Sequence, residues 1–138
     1  MATVTAKRAF GELARHAERI KNDEPQTAGS MSPGDMIAQG DIGLVVLDGV
    51  PANAVRIAKP ETQLAPGTTQ GSRHSLESLE GLTLYSLKNA TPLDGPVIEA
   101  PGGCRVNHPE HGDWVLPPGT YAVVYQRAYA EELRRVQD

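Results

Sequence analysis

The hydrophobic positions near the start of the chain follow a helical period. Over residues 5–21 the apolar side chains recur at spacings of three and four, while Lys, Arg and Glu occupy most other positions. The apolar stripe comprises Phe10, Leu13, Ala17 and Ile20. The pattern predicts an amphipathic helix within an arm of residues 1–22, and the Pro, Gly and Ser content of residues 23–39 predicts a linker behind it. Such an arm could dock on its own domain or on another chain.

From residue 40 onward the pattern changes to short apolar runs separated by Gly and Pro, which predicts a mainly β domain, a small barrel or sandwich, over residues 40–138. The predicted strands are residues 42–47, 54–58, 82–87, 96–99, 113–116 and 120–126. The last of these is apolar on both faces, which is typical of a central strand. A short C-terminal helix is predicted to follow, with Tyr129, Leu133 and Val136 on one face.

Composition narrows the class of protein. The 138 residues fit one domain, and with 4% aromatic residues the core must be mostly aliphatic. A net charge of −4 supplies no basic field for nucleic acid, and no apolar run approaches the roughly 20 residues that cross a membrane. The single cysteine and the charged N-terminal segment favour a cytoplasmic protein. We therefore expect neither nucleic acid nor membrane as a partner, and we expect a homo-oligomer or assembly partner bound through the N-terminal helix.

The segment from His108 to His111 carries the strongest chemical signal. Its sequence is His-Pro-Glu-His, and Pro109 biases His108 toward extended backbone, so a turn or strand entry is favoured over a helix. Together with His74, the two histidines would provide three metal ligands, and Glu110 would be a fourth ligand or a catalytic base beside a metal-bound water. Imidazole and carboxylate suit one divalent transition metal such as Zn, Fe, Mn or Ni.

Other interpretations of these residues remain open. Two histidines in a polar turn also occur as solvated or structurally bonded side chains with no ligand. Cys104 could replace Glu110 as a soft ligand, although a lone cysteine in a strand is more often a small buried hydrophobe. Ser72 and Arg73, next to a glycine, could bind a phosphate or carboxylate cofactor group, against the alternative of a plain polar loop.

Residues 63–138 carry three sequence elements that also occur together elsewhere. They are Gln70-Gly71-Ser72-Arg73-His74, His108-Pro109-Glu110-His111, and the run from Leu116 to Arg127, which reads Leu-Pro-x-Gly-x-Tyr-x-Val-x-x-Gln-Arg. This part of the chain resembles a group of small, uncharacterised bacterial and phage-borne β-rich proteins. The resemblance implies a shared fold and site, and a location in the cytoplasm or in a virion. In the first element Ser72 stands where the group has a histidine, which removes one potential ligand.

Three functional hypotheses follow from these patterns. The leading one is a small soluble β domain with a histidine-centred metal or ligand site. The second is a structural or assembly protein, virion-associated if it is phage-encoded, that uses its N-terminal helical arm for oligomerisation. The third is a small metal-dependent hydrolase or dioxygenase, which would need a pocket around the same histidines.

Overall fold

The computed structural model describes residues 26–66 and 73–126, and within them the protein is mainly β. Ten strands form two sheets, and one of the sheets curls into a half-barrel. In chain order they are β1 (Gln26–Thr27), β2 (Met36–Gln39), β3 (Ile42–Leu47), β4 (Ala54–Arg56), β5 (Ser75–Leu76), β6 (Thr83–Leu87), β7 (Asp94–Ala100), β8 (Cys104–Asn107), β9 (Trp114–Leu116) and β10 (Gly119–Tyr125). This part of the chain contains no helix that could span a membrane.

The two sheets have different connectivity. The six-stranded sheet has the order β2-β3-β10-β7-β6-β4, with antiparallel neighbours throughout. The four-stranded sheet has the order β1-β9-β8-β5, in which β1 runs parallel to β9. β10 lies between β3 and β7, so the prediction of a central strand with apolar residues on both faces is confirmed.

The core fills the space between the sheets and is aliphatic, as the composition predicts. Along one row of the six-stranded sheet, Val46 pairs with Tyr121, Tyr121 with Ile98, and Ile98 with Leu84, and all four are buried. Val106, Trp114 and Leu116 of the four-stranded sheet belong to the same buried cluster. Gln39 of the edge strand β2 is paired with Ile42 of β3 and is fully buried. A polar side chain therefore also enters the space between the sheets.

The mainly β class is confirmed, and β3 has the predicted bounds. The linker prediction for residues 23–39 differs from the structure, because β1 and β2 lie there. The Pro, Gly and Ser residues before β2 give this segment the sequence pattern of a linker, although Ile37 and Ala38 are both buried. β5 and β8 were not predicted either. The N-terminal arm of residues 1–22 and the C-terminal helix lie outside the described residues, and the described residues contain no helix.

Candidate functional site

The turn between β8 and β9 is held by His108. Its Nδ1 atom accepts backbone N–H bonds from Glu110 at 3.0 Å and from His111 at 3.1 Å. The backbone N–H of His108 in turn donates to Asp113 Oδ1 at 3.2 Å, and Arg105 Nη2 lies 2.7 Å from Asp113 Oδ2. His108 and Asp113 thus fix the turn from both ends.

His74, the residue before β5, reaches the same place and is fully buried. Its Nδ1 lies 2.8 Å from Gln39 Oε1. The amide nitrogen of Gln39 donates to the carbonyl of Val106 at 3.0 Å and to that of Gly112 at 2.7 Å. One glutamine therefore connects β2, β8, the β8–β9 turn and the His74 ring.

The three rings lie next to one another, and we call His74, His108 and His111 the histidine cluster. Ring centroids are 4.3 Å apart for His74 and His108, and 4.6 Å apart for His108 and His111. His74 and His111 lie 6.5 Å apart with nearly parallel planes, at an interplanar angle of 5°. The predicted convergence of His74 with the other two histidines, across more than thirty residues of sequence, is therefore found.

The hydrogen bonds assign the ring protons. Because both donor protons of Gln39 point at carbonyl oxygens, its Oε1 is an acceptor and His74 Nδ1 must carry a proton. The Nε2 atom of neutral His74 then bears a lone pair. The reverse holds for His108, whose Nδ1 accepts two N–H groups, so its proton is on Nε2. The two buried rings consequently differ in what they offer a ligand, a lone pair from His74 and an N–H from His108.

His111 is placed by the close approach of Gly40. Gly40 has a φ of 56°, and a Cβ there would lie 2.7 Å from His111 Nε2 and closer still to Cδ2. Only glycine lets the ring lie against the backbone between β2 and β3. The Nδ1 atom of His111 is buried and has no hydrogen-bond partner among the described residues. His111 thus brings a ring nitrogen that a ligand could use.

The other predicted site residues are distributed differently. Glu110 is in the turn beside His111, but it is exposed, and the described residues give its carboxylate no hydrogen bond or ion pair. Arg73 is exposed and precedes His74, whereas Ser72 lies outside the described residues. Cys104 lies at the other end of β8, opposite Leu116, and packs on the core, where burial raises the pKa of its thiol to about 11.

Within the part of the chain that the structure describes, no three or more His, Cys, Asp or Glu side chains are arranged to hold a metal ion together. This agrees with the proton assignment, because Nε2 of neutral His108 has no lone pair to give. If an ion binds in the histidine cluster, the protein ligands must be fewer than the three predicted, or the rings must move.

Sequence patterns did not identify two residues that shape the site. Gln39 was assigned to a linker, although its side chain orients His74. Gly40 lay at the predicted domain boundary, and its only sequence signal was its position between two apolar runs. A buried glutamine is unusual enough to mark a polar network once the fold is known.

A cavity of about 620 Å³ lies at a different place in the fold. Its walls come from β6, β7, the end of β10 and the segment between β4 and β5, and include Ile57, Leu64, Leu84 and Tyr125. None of the three histidines lines it. The pocket that a hydrolase or dioxygenase using these histidines would require is therefore not this cavity.

Comparison with known families matches residues 38–126, more than half of the chain, to a domain of unknown function, DUF8820. The chain therefore belongs to the DUF8820 family. The match begins one residue before Gln39 and includes all three histidines of the cluster. No curated protein and no solved structure matches the chain.

Proposed function

We propose that this protein is a small metal-binding domain, in which His74 and His111 bind one divalent transition-metal ion. The observation that carries the proposal is the contact between His74 Nδ1 and Gln39 Oε1 at 2.8 Å. Histidines that bind metals almost always donate their other ring N–H to an oxygen atom, which fixes the tautomer and the ring orientation. Gln39 supplies that oxygen and is itself fixed by two carbonyl groups.

The spacing of the outer two rings supports a shared ion. With metal–nitrogen bonds of about 2 Å, an ion lies about 3 Å from each imidazole centre, so two ligands have centroids roughly 5 Å apart in a tetrahedral site and roughly 6 Å apart when they lie on opposite sides of the ion. The centroids of His74 and His111 are 6.5 Å apart. His108 lies to one side of them and offers an N–H, which suits a hydrogen bond to a water or anion on the ion. A tetrahedral site therefore requires the His74 and His111 rings to move toward each other.

The donor set narrows the choice of metal. Two imidazoles favour Zn and Ni over Mn in the general affinity order of divalent metals, with Fe between them. Glu110, one residue before His111, is the nearest carboxylate in the sequence and is free to turn toward the ion as a further ligand or as a base. A metal-dependent hydrolase or dioxygenase would use this same metal site, with Glu110 as the catalytic base.

The test is a calorimetric titration of the full chain, purified without a histidine tag, with Zn²⁺ and Ni²⁺. We expect one ion per chain, and we expect His74→Gln and His111→Gln to weaken binding at least 10-fold. His108→Asn is the matched control, since asparagine can still accept a backbone N–H and we expect binding to change only a few-fold. If the wild-type chain binds no better than the variant lacking all three histidines, the proposal is wrong.

A further inference from the structure

The face of the six-stranded sheet that points away from the core is apolar over four strands. Strand register places Met36, Val45, Ala122 and Val97 in one row across β2, β3, β10 and β7. Ala38, Gly43 and Val124 form the neighbouring row. Val97 pairs onward with Tyr85 of β6, whose hydroxyl donates to Glu99 at 2.8 Å, so the face becomes polar on that side. We call the apolar part of this face the outer patch.

The outer patch is distinct from the core between the sheets. Ala38 and Val97 expose none of their surface, yet neither belongs to the buried core cluster. Met36, Val45, Ala122 and Val124 are only half-buried, and they do not pack on that cluster either. A patch of this kind on one side of a central strand is a surface that another element normally covers.

The C-terminal segment of the same chain has an apolar stripe that could cover the outer patch, and it begins directly after β10, which lies in that patch. β10, whose Ala122 and Val124 lie in the middle of the outer patch, ends at Tyr125, and the backbone N–H of Gln126 still donates to Asp41 at the start of β3. The twelve residues that follow carry Tyr129, Leu133 and Val136 at helical spacing, with Glu131 and Arg134 on the opposite side. A helix of that length spans about 18 Å, which matches a strand of five or six residues.

We propose that the outer patch is the docking surface for the C-terminal segment, residues 127–138, which folds back as a helix onto β3, β10 and β7. Such a short helix is marginal in water by itself and becomes stable when its apolar stripe is buried. The N-terminal arm is a poorer candidate, because the described chain begins in β1, which belongs to the other sheet. The proposal is independent of metal binding, because the outer patch is on the opposite side of the sheet from Gln39.

The experiment measures how fast a thiol in the patch reacts. Ala122→Cys is introduced into the full chain with Cys104→Ser, and the labelling rate by a thiol reagent is compared among further variants. Leu133→Gln with Val136→Gln weakens the C-terminal stripe, and Glu131→Gln with Arg134→Gln is the matched control on its polar side. Leu13→Gln with Ile20→Gln weakens the N-terminal stripe. Each rate is measured at two protein concentrations, and circular dichroism checks the fold.

We expect the C-terminal stripe variant to label at least 10-fold faster than its parent, with the control unchanged. Equal and fast labelling in all variants would mean that the patch is open to solvent, which would overturn the proposal. Acceleration only by the N-terminal variant would assign the patch to the arm, and protection that is lost on dilution would assign it to a second copy. Either of these results would also overturn the proposal.

Discussion

Gln39 Oε1 lies 2.8 Å from His74 Nδ1, and this contact links β2 of one sheet to the residue that immediately precedes β5 of the other. Both side chains are fully buried. The amide group of Gln39 also binds two carbonyl oxygens, of Val106 and Gly112. Since every polar group of the glutamine is used, the contact contributes to stability and at the same time decides which nitrogen of His74 bears a lone pair.

Gln39→Leu removes this network while keeping an apolar side chain of similar size. It leaves a ring N–H and two carbonyl oxygens without their partner, and each such buried group costs about 1–3 kcal/mol. We expect the free energy of unfolding, measured by urea titration, to fall by roughly 2 kcal/mol or more. Val55→Ala on the exposed edge strand β4 is the control and should change stability little. An unchanged stability for Gln39→Leu would contradict the network.

Gly40→Ala tests the placement of His111. The left-handed backbone at Gly40 costs a residue with a Cβ about 1–2 kcal/mol, and the added methyl group would strike the His111 ring. We expect destabilisation of at least that amount and weaker metal binding, since the ring must move. Gly81→Ala is the matched control, because Gly81 has a φ of 75° and nothing lies within 4 Å of a Cβ there. If the two variants melt at the same temperature, His111 does not lie against Gly40.

The sequence predicted the elements with strong local patterns and missed those that depend on distant partners. The apolar run of β3 and the doubly apolar β10 were recognised because their burial is visible in the alternation of side chains. Gln39 was missed because its partners are 35, 67 and 73 residues away, and no local pattern marks a buried glutamine. The histidine cluster was predicted from residue type and spacing. Its proton assignment required the hydrogen bonds and could not be read from sequence.

His108 is expected to stabilise the turn as an acceptor. His108→Leu removes the acceptor of two backbone N–H groups and should lower the free energy of unfolding by roughly 2 kcal/mol. His108→Asn restores a side-chain acceptor for the turn and should recover much of that loss. Chemical denaturation of both variants checks this ordering. Equal destabilisation by leucine and asparagine would show that the turn does not depend on an acceptor at this position.

Stability should fall in alkaline solution through two buried acids. Burial raises the pKa of Cys104 from 9.0 to about 11, and burial, followed by the nearby Cys104, raises that of Tyr121 from 10.0 to about 12. Both groups hold their protons more tightly in the folded protein. Their contribution is therefore complete below pH 9 and is lost as the pH rises through 11 for Cys104 and 12 for Tyr121.

The melting temperature measured from pH 8 to 12 checks this expectation. Cys104→Ser should remove the part of the decline between pH 9 and 11 and leave the later part, which belongs to Tyr121. Tyr121 also donates to the carbonyl of Pro117, so Tyr121→Phe should destabilise the protein at neutral pH as well. A melting temperature that is independent of pH over this range would contradict the burial of both acids.

Metal binding through His74, with His108 keeping its N–H, is tested most directly by ¹⁵N NMR of the imidazole nitrogens during a Zn²⁺ titration. Before metal is added, we expect a proton on Nδ1 of His74 and on Nε2 of His108. With one equivalent of Zn²⁺, the Nε2 resonance of His74 and one nitrogen of His111 should move to positions typical of metal-bound imidazole, and His108 should remain protonated on Nε2. Unchanged spectra, or the opposite tautomer for His74, would contradict the account.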